Sequence, residues 1–346
     1  MAGPGRRSLA SVVVIDDLPG GLTARPLSPD DAAAAAAVLA AAEQVDDTGE
    51  YPDAEDLVEW WQGWGLDAGR DGLAVCDSDA VVVAYATVMA SPTFRGTFSV
   101  DLEGRVRPDR RGQGIGRALL AWQAERGTAL RAERQPEAPS VLSVEVPGTM
   151  ASLEALVRRQ GFAPERWYRE MQRPLTDLPD PRPAPGVEIV PFSEDRDDEV
   201  RRAHNAAFTQ HHGSSERDPD AWKALFTGQR NFRPDLSRLA VEDGVVVGYV
   251  LAYVFEADTA ARGTREVSLG QIGVLPRARG RGIASATIAE VLRTAARNDC
   301  QSAALGVDTE NVTGALKLYE GLGFRAIRSR VTFTLALPPV AEARPQ

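Results

Sequence analysis

The chain has 346 residues, room for two domains of about 150 residues, each with its own core. With 43% hydrophobic and 25% charged residues it has a globular balance, and no apolar run approaches the about 20 residues of a membrane span. A net charge of −10 argues against nucleic acid as a partner, which would need a basic face, and suits a cationic or amine substrate.

Two cysteines, Cys76 and Cys300, form no disulfide framework, which fits a reducing cytoplasm, the expected location. The three histidines, His204, His211 and His212, suggest no metal site. Residues 1–20 are expected to be an extension. Its apolar stretch 12–15 is too short for a signal peptide.

The first half begins with a short strand at 22–27. Ser28 then caps a helix, with Pro29 in its first turn and the alanine-rich run 32–43 continuing it. A second helix at 55–64 carries Trp60, Trp61 and Trp64, read as packing residues. Residues 73–76 and 80–89 read as a hairpin, 97–106 as a strand and 116–130 as a helix. A strand at 141–146, a helix at 151–159 ending at Gly161, and a strand at 164–171 complete this half. Residues 174–186 hold five prolines in thirteen residues and read as an extended linker.

The second half repeats the order. A strand is expected at 187–192, with Ser193 capping a helix through Phe208. A polar loop at 210–215 and a short helix at 220–227 follow. The strands 238–242 and 245–255 turn around Asp243-Gly244. Then come a strand at 266–274, a helix at 285–298, a strand at 303–308, a helix at 313–321 and a strand at 330–337. Residues 339–346 are a tail.

Between the strand at 266–274 and its helix stands Arg279-Gly280-Arg281-Gly282-Ile283-Ala284. Glycines let an anion approach the backbone, and the helix start offers free N–H groups and a positive dipole end. No Gly-Lys-Ser/Thr ending is present, and the glycine spacing is wrong for a dinucleotide fingerprint. Arg111-Gly112-Gln113-Gly114-Ile115-Gly116, after Val106, has the same form. The prolines ahead of the two loops, Pro108 and Pro276, lie 168 residues apart. Gly161-Phe162 and Gly323-Phe324 repeat 162 residues apart, and Pro26 and Pro191 are 165 apart, each inside a similar strand. Landmarks repeating in one order identify a duplication. The division expected is a first domain at 21–173, the linker, and a second domain at 187–338.

Both loops fit R/Q-x-x-G-x-G/A, which resembles the acetyl-CoA motif of the GNAT superfamily of N-acetyltransferases. The resemblance covers nearly the whole chain as two tandem domains of α/β class (α+β by a stricter count), each a mixed, mostly antiparallel sheet flanked by helices. It implies acetyl-CoA as co-substrate, with no metal, and a small-molecule amine as acceptor; charge and the lack of a long apolar run leave neither nucleic acid nor membrane as an expected partner. The loop amides of Arg279 to Ala284, and of Arg111 to Gly116 in the first half, would hold the pyrophosphate. The backbone of Ile272, Gly273 and Val274 would meet pantetheine and the acetyl carbonyl, and Val106, ahead of the first loop, is also an expected cofactor-binding residue.

Residues 308–324 resemble the family's second motif. By that resemblance Asn311 contacts the pantetheine arm and Tyr319 is the acid that protonates the departing thiolate. Counting back from Phe162 puts Val157 and Thr149 at those places, so the first half lacks the acid and is read as degenerate. The resemblance implies a strand carboxylate as general base, directly or through water, and Glu266, on the same strand face as Ser268 and Gly270, is the residue expected there. His211 and His212 are rivals, being groups that titrate near neutrality. The alternative to an enzyme is a non-catalytic CoA-binding or regulatory protein, against which Tyr319 and Asn311 argue.

Overall fold

The computed structural model describes residues 15, 17–91, 93–209, 215–310 and 314–338. The first half begins with β1 (Thr23–Pro26), α1 (Ala32–Asp46), α2 (Ala54–Gly63) and α3 (Ala68–Asp71). It continues through β2 (Gly72–Cys76), β3 (Val82–Ala90), β4 (Phe98–Val106), α4 (Ile115–Arg134), β5 (Ser140–Pro147), α5 (Ala151–Arg159) and β6 (Ala163–Pro174). The second half holds β7 (Val187–Pro191), α6 (Asp197–Ala207), α7 (Pro219–Trp222), β8 (Arg238–Glu242), β9 (Val245–Tyr253) and α8 (Glu256–Arg262). It ends with β10 (Glu266–Val274), α9 (Ile283–Arg297), β11 (Ser302–Asp308), α10 (Ala315–Gly321) and β12 (Arg325–Leu337).

Local chemistry accounts for most boundaries. Ser28 and Asp31 form a reciprocal capping box over a 3-10 turn, Pro29–Asp31, that leads into α1. Asp53 and Asp56 do the same for α2. Ser193 makes no side-chain cap bond. A 3-10 turn, Glu194–Arg196, intervenes, and α6 starts at Asp197 with Asp197, Asp198 and Glu199 facing the positive dipole end. The helix expected at 220–227 is α7 followed by a single π turn, Lys223–Thr227. The short helices α3 and α8 were not foreseen.

Contacts group the chain into two units. The first comprises Met1–Ala90, Val100–Leu142 and Ala336–Gln346, and the second Ser91–Ser99 and Ser143–Leu335. In the first unit β1, β2, β3 and β4 pair successively, all antiparallel. All of β3 is buried, because α1 covers one face of the sheet and α4 the other. Trp61 packs on Tyr85 within the α1–α2 core. Ile115 and Leu119 belong to the core on the opposite side.

In the second unit the strand order is β12-β6-β11-β10-β9-β8-β7, antiparallel except for β10 with β11. One face packs on α9 and α10 through Val267, Leu269, Leu305, Val307, Leu292 and Phe324. The opposite face packs β9 on α6 and α7 through Tyr249, Leu251, Tyr253, Val200 and Trp222. Strand β6, expected to close the first domain, pairs with β11 and β12 in this unit, from Tyr168 against Asp308 to Pro174 against Ser302. It runs on through Pro174, the first residue of the expected linker.

Candidate active site

Both glycine loops are built alike. The strand ends, a 3-10 turn follows (Pro108–Arg110 or Pro276–Ala278), and the arginine is extended, with ψ 163° at Arg111 and 159° at Arg279. Two glycines with positive φ come next. They are Gly112 (+75°) and Gly114 (+99°) in the first loop, and Gly280 (+75°) and Gly282 (+77°) in the second. A left-handed backbone at these positions is what favours glycine. Gly114 and Gly282 are themselves the N-caps and provide no side-chain acceptor, so the first N–H groups of α4 and α9 are uncapped by side chains. Helix α9 therefore begins at Ile283, two residues before the expected 285. Ile115 and Ile283 are buried and fix each loop to its core, with Gly116 and Ala284 directly behind.

The loop arginines are held by protein. Arg279 donates from Nε to the Val274 carbonyl (3.3 Å) and from a guanidinium NH2 to the Ala207 carbonyl (2.7 Å) at the end of α6. Arg111 donates to the Val106 carbonyl and makes a two-pronged pair with Asp46, the last residue of α1 (2.6 and 2.7 Å). Arg281 pairs with Glu242 on β8 at 2.7 Å. The arginines thus tie each loop to the rest of its unit, leaving backbone N–H groups to meet an anion. The surroundings of the two loops differ. A Cβ on Gly280 or Gly282 would meet nothing within 4 Å among the described residues, and one on Gly114 would lie 4.0 Å from Pro19 Cγ and 3.9 Å from the Arg117 guanidinium. Gly112 is open, and Gln113 is exposed.

Strand β10 carries the second feature. It pairs in parallel with β11 only at Glu266, Val267 and Ser268, opposite Ser302, Ala303 and Ala304. A bulge at Gly270 follows. Beyond it, Gln271 to Val274 stay paired to β9 while the ladder with β11 has ended. A bulge bends its strand and ends pairing, so β10 and β11 diverge toward the loop. Ile272, Gly273 and Val274 lie on this diverging stretch. Gly273 is required there, since a Cβ would stand 2.4 Å from the Tyr249 ring.

Tyr319 is buried in α10, edge-on to Phe324 with ring centroids 6.3 Å apart. It belongs to the core that Ile272 packs against. Burial pushes its phenol up to about 12, so it is a neutral O–H donor at physiological pH. Val157 in α5 is fully buried, with no group to donate. Asn311, His211 and His212 lie outside the described residues.

Glu266 occupies the first position of β10, where the strands still pair and at the far end from the loop. Its Oε1 accepts from Arg262 (3.0 Å), and its Oε2 accepts from Gln172 and Ser302 (2.6 Å each). The structure does not bring this carboxylate to the glycine loop, and three donors already use it.

The sequence alone assigns no site role to His204 or Glu170. His204 Nδ1 lies 2.8 Å from the Tyr249 hydroxyl, and its ring stacks on Phe208 at 4.5 Å. Glu170 on β6 stands beside Arg328 and Arg330 of β12. The alternation of polar Arg166, Tyr168, Glu170 and Gln172 along β6 was the available signal.

A profile described as "Acetyltransferase (GNAT) family" matches residues 198–324. A mycothiol acetyltransferase of Acidothermus cellulolyticus is 30% identical over 305 residues, covering 84% of this chain and 87% of its own. The chain belongs to the GNAT acetyltransferase family. A mycothiol acetyltransferase of Frankia casuarinae is 35% identical over 230 residues, a match spanning 63% of each protein. The chain thus covers less than two thirds of that relative's length. A GCN5-related N-acetyltransferase from Sphaerobacter thermophilus, known as a crystal structure, superposes with a TM-score of 0.73 at 28% identity, covering 93% of this chain and 98% of its own. The GNAT fold therefore extends well outside the segment that the profile matches.

Proposed function

We propose that this GNAT chain transfers an acetyl group from acetyl-CoA to the primary amine of a small molecule, with its active site in the half that carries Tyr319. One observation carries the reading. An open glycine loop, a diverging β10–β11 pair and a buried neutral tyrosine occur along one half of the chain, in a single compact unit.

The residues fit the donor. Backbone N–H groups of Gly280 to Ala284, at the positive end of α9, hold the pyrophosphate. A Cβ at Gly280 or Gly282 would fill the approach. The unpaired edge of β10 offers Ile272 to Val274 as hydrogen-bond partners to the pantetheine arm, with an amide there polarising the acetyl carbonyl. Tyr319 donates its proton to the thiolate as the C–S bond breaks. The relatives named mycothiol acetyltransferase support a small-molecule acceptor. The first loop, with Val157 at the matching helix position, has no such acid and is assigned no chemistry.

The test is thiol release from acetyl-CoA with a panel of primary amines. Tyr319→Phe is expected to lower turnover by about 10²-fold with acetyl-CoA affinity unchanged. Undiminished turnover in Tyr319→Phe would remove the tyrosine from the mechanism. Absence of any amine-dependent thiol release by the wild-type chain would refute the acetyltransferase reading.

A further inference from the structure

The face of the second unit's sheet opposite α9 and α10 has an uncovered floor. Gly306 on β11 is exposed, and a Cβ there would meet nothing within 4 Å. Gly270 on β10 is also exposed on its bulge. Both lie where β10 and β11 diverge. Mid-sheet glycines commonly mark a close approach by another molecule or backbone.

Polar groups stand on both sides of this floor. On the β9 side the Tyr253 ring lies over Gly270, and its buried hydroxyl has no hydrogen-bond partner among the described residues. On the β6 side the residue directly opposite Gly306 is Glu170. Arg328 approaches Glu170 Oε1 at 3.3 Å. Among the described residues its Oε2 is buried with no hydrogen bond, and Arg330 reaches it only at 3.9 Å. A buried acceptor without a partner calls for an explanation. Glu170 also differs from Glu266, whose two oxygens accept from three donors. The Glu170 side chain is 21% exposed, and its terminal torsion is soft, so the carboxylate can turn either oxygen toward a ligand.

We propose that Glu170 binds the ammonium of the acceptor over Gly306 and takes its proton, so that the base comes from β6 rather than from Glu266. This rests on the acetyltransferase reading above. The acceptor class is a primary amine on a polar scaffold, since the groups along this wall, Tyr168, Gln172, Ser302 and Arg328, are hydrogen-bonding rather than apolar. Glu170 accepts one proton from RNH3+ and passes it to water. The nitrogen lone pair forms the C–N bond to the acetyl carbon. As the C–S bond breaks, the nitrogen loses a second proton, matched by the one the thiolate gains from Tyr319. The balance is RNH3+ plus thioester giving amide, thiol and one proton.

The electrostatics suit a base. Burial pushes the Glu170 carboxyl up, and the Glu266 charge adds to this. Arg328 and Arg330 of β12 and Arg262 of α8 oppose it. Arg330 is shared with Glu145 of β5 at 2.9 Å, which weakens its hold on Glu170. A carboxylate raised toward the working pH is a better proton acceptor than a fully paired one.

The experiment compares the wild-type chain with E170Q and E170D. Steady-state rates would be taken with acetyl-CoA and two probe amines, D-glucosamine and ethanolamine, across neutral to alkaline pH. E170Q is expected to lower kcat/KM by about 10²-fold near neutrality, with the deficit shrinking at least tenfold where the amine arrives deprotonated. E170D keeps a carboxylate and should recover part of the rate, with the wild-type pH dependence. Calorimetric acetyl-CoA affinity should be unchanged in both. An E170Q profile parallel to wild type, or a fall in acetyl-CoA affinity that accounts for the rate loss, would overturn the assignment. Failure of the wild type to acetylate either amine would overturn it together with its parent reading. Normal wild-type turnover with an unaltered E170Q profile would overturn it alone.

Discussion

The two glycine loops share backbone and differ in company. Each has an extended arginine, two left-handed glycines and a helix starting at an isoleucine. Yet Arg111 is clamped by a carboxylate, Asp46, where Arg279 bonds the carbonyls of Val274 and Ala207. A Cβ on Gly114 would just reach Pro19 and Arg117, where one on Gly282 would meet nothing within 4 Å among the described residues. The matching helices carry Val157 and Tyr319, both buried, one inert and one a donor. The loop geometry is thus kept in both halves while the side chains around it differ.

The largest effect expected from this contrast is on turnover. Tyr319→Phe should reduce kcat by about 10²-fold, while Val157→Ala should leave kcat in place and lower stability by about 2 kcal/mol through a small core cavity. Steady-state kinetics and thermal unfolding of both variants measure the two effects separately. Equal kinetic damage from the two substitutions would mean that the tyrosine acts by packing.

Next in size is the arginine clamp. Asp46 is 7% exposed, so Asp46→Asn leaves Arg111 without a charged partner beside the first loop. Denaturant unfolding should show a loss of about 2 kcal/mol, reduced from the full cost of breaking a buried pair because Arg111 is partly solvated. Arg279→Ala removes two neutral acceptors' bonds and should cost about 1 kcal/mol. If Arg279→Ala proved the costlier change, the first loop would not be the more rigidly built of the two.

The smallest effect concerns pH. The folded pKa of Tyr319, about 12, lies above the ordinary phenol value of 10.0. Its neutral form is thus favoured by folding. That contribution is fully present below pH 10 and is lost as pH rises through 12. The alkaline limb of kcat should not reflect Tyr319 below about pH 11, as a pH–rate profile would show.

Much of this was legible in the sequence because local rules govern it. The glycines and the Arg-x-x-Gly-x-Gly/Ala spacing marked both loops, and the two loops have the same backbone course. What escaped depends on long-range pairing. The neighbours of β6 are β11 and β12, and nothing local to residues 163–174 names them. Glu170 could therefore not be placed opposite Gly306. Glu266 is expected from strand alternation and from the family's use of a strand carboxylate, and neither reveals that Arg262, Gln172 and Ser302 converge on its carboxylate. Ser193 looked like a cap because Ser28 is one, but the turn at Glu194–Arg196 leaves its hydroxyl without that bond.

The central claim is that acetyl-CoA is bound through the second loop. Calorimetric titration of acetyl-CoA into the wild-type chain, Gly282→Val and Gly114→Val tests it most directly. A β-branched residue is strained at these φ values and crowds the pyrophosphate path. Gly282→Val should weaken binding at least tenfold, about 1.4 kcal/mol, while Gly114→Val leaves the affinity of the productive site unchanged. Full binding by Gly282→Val, with loss of binding in Gly114→Val, would contradict the account.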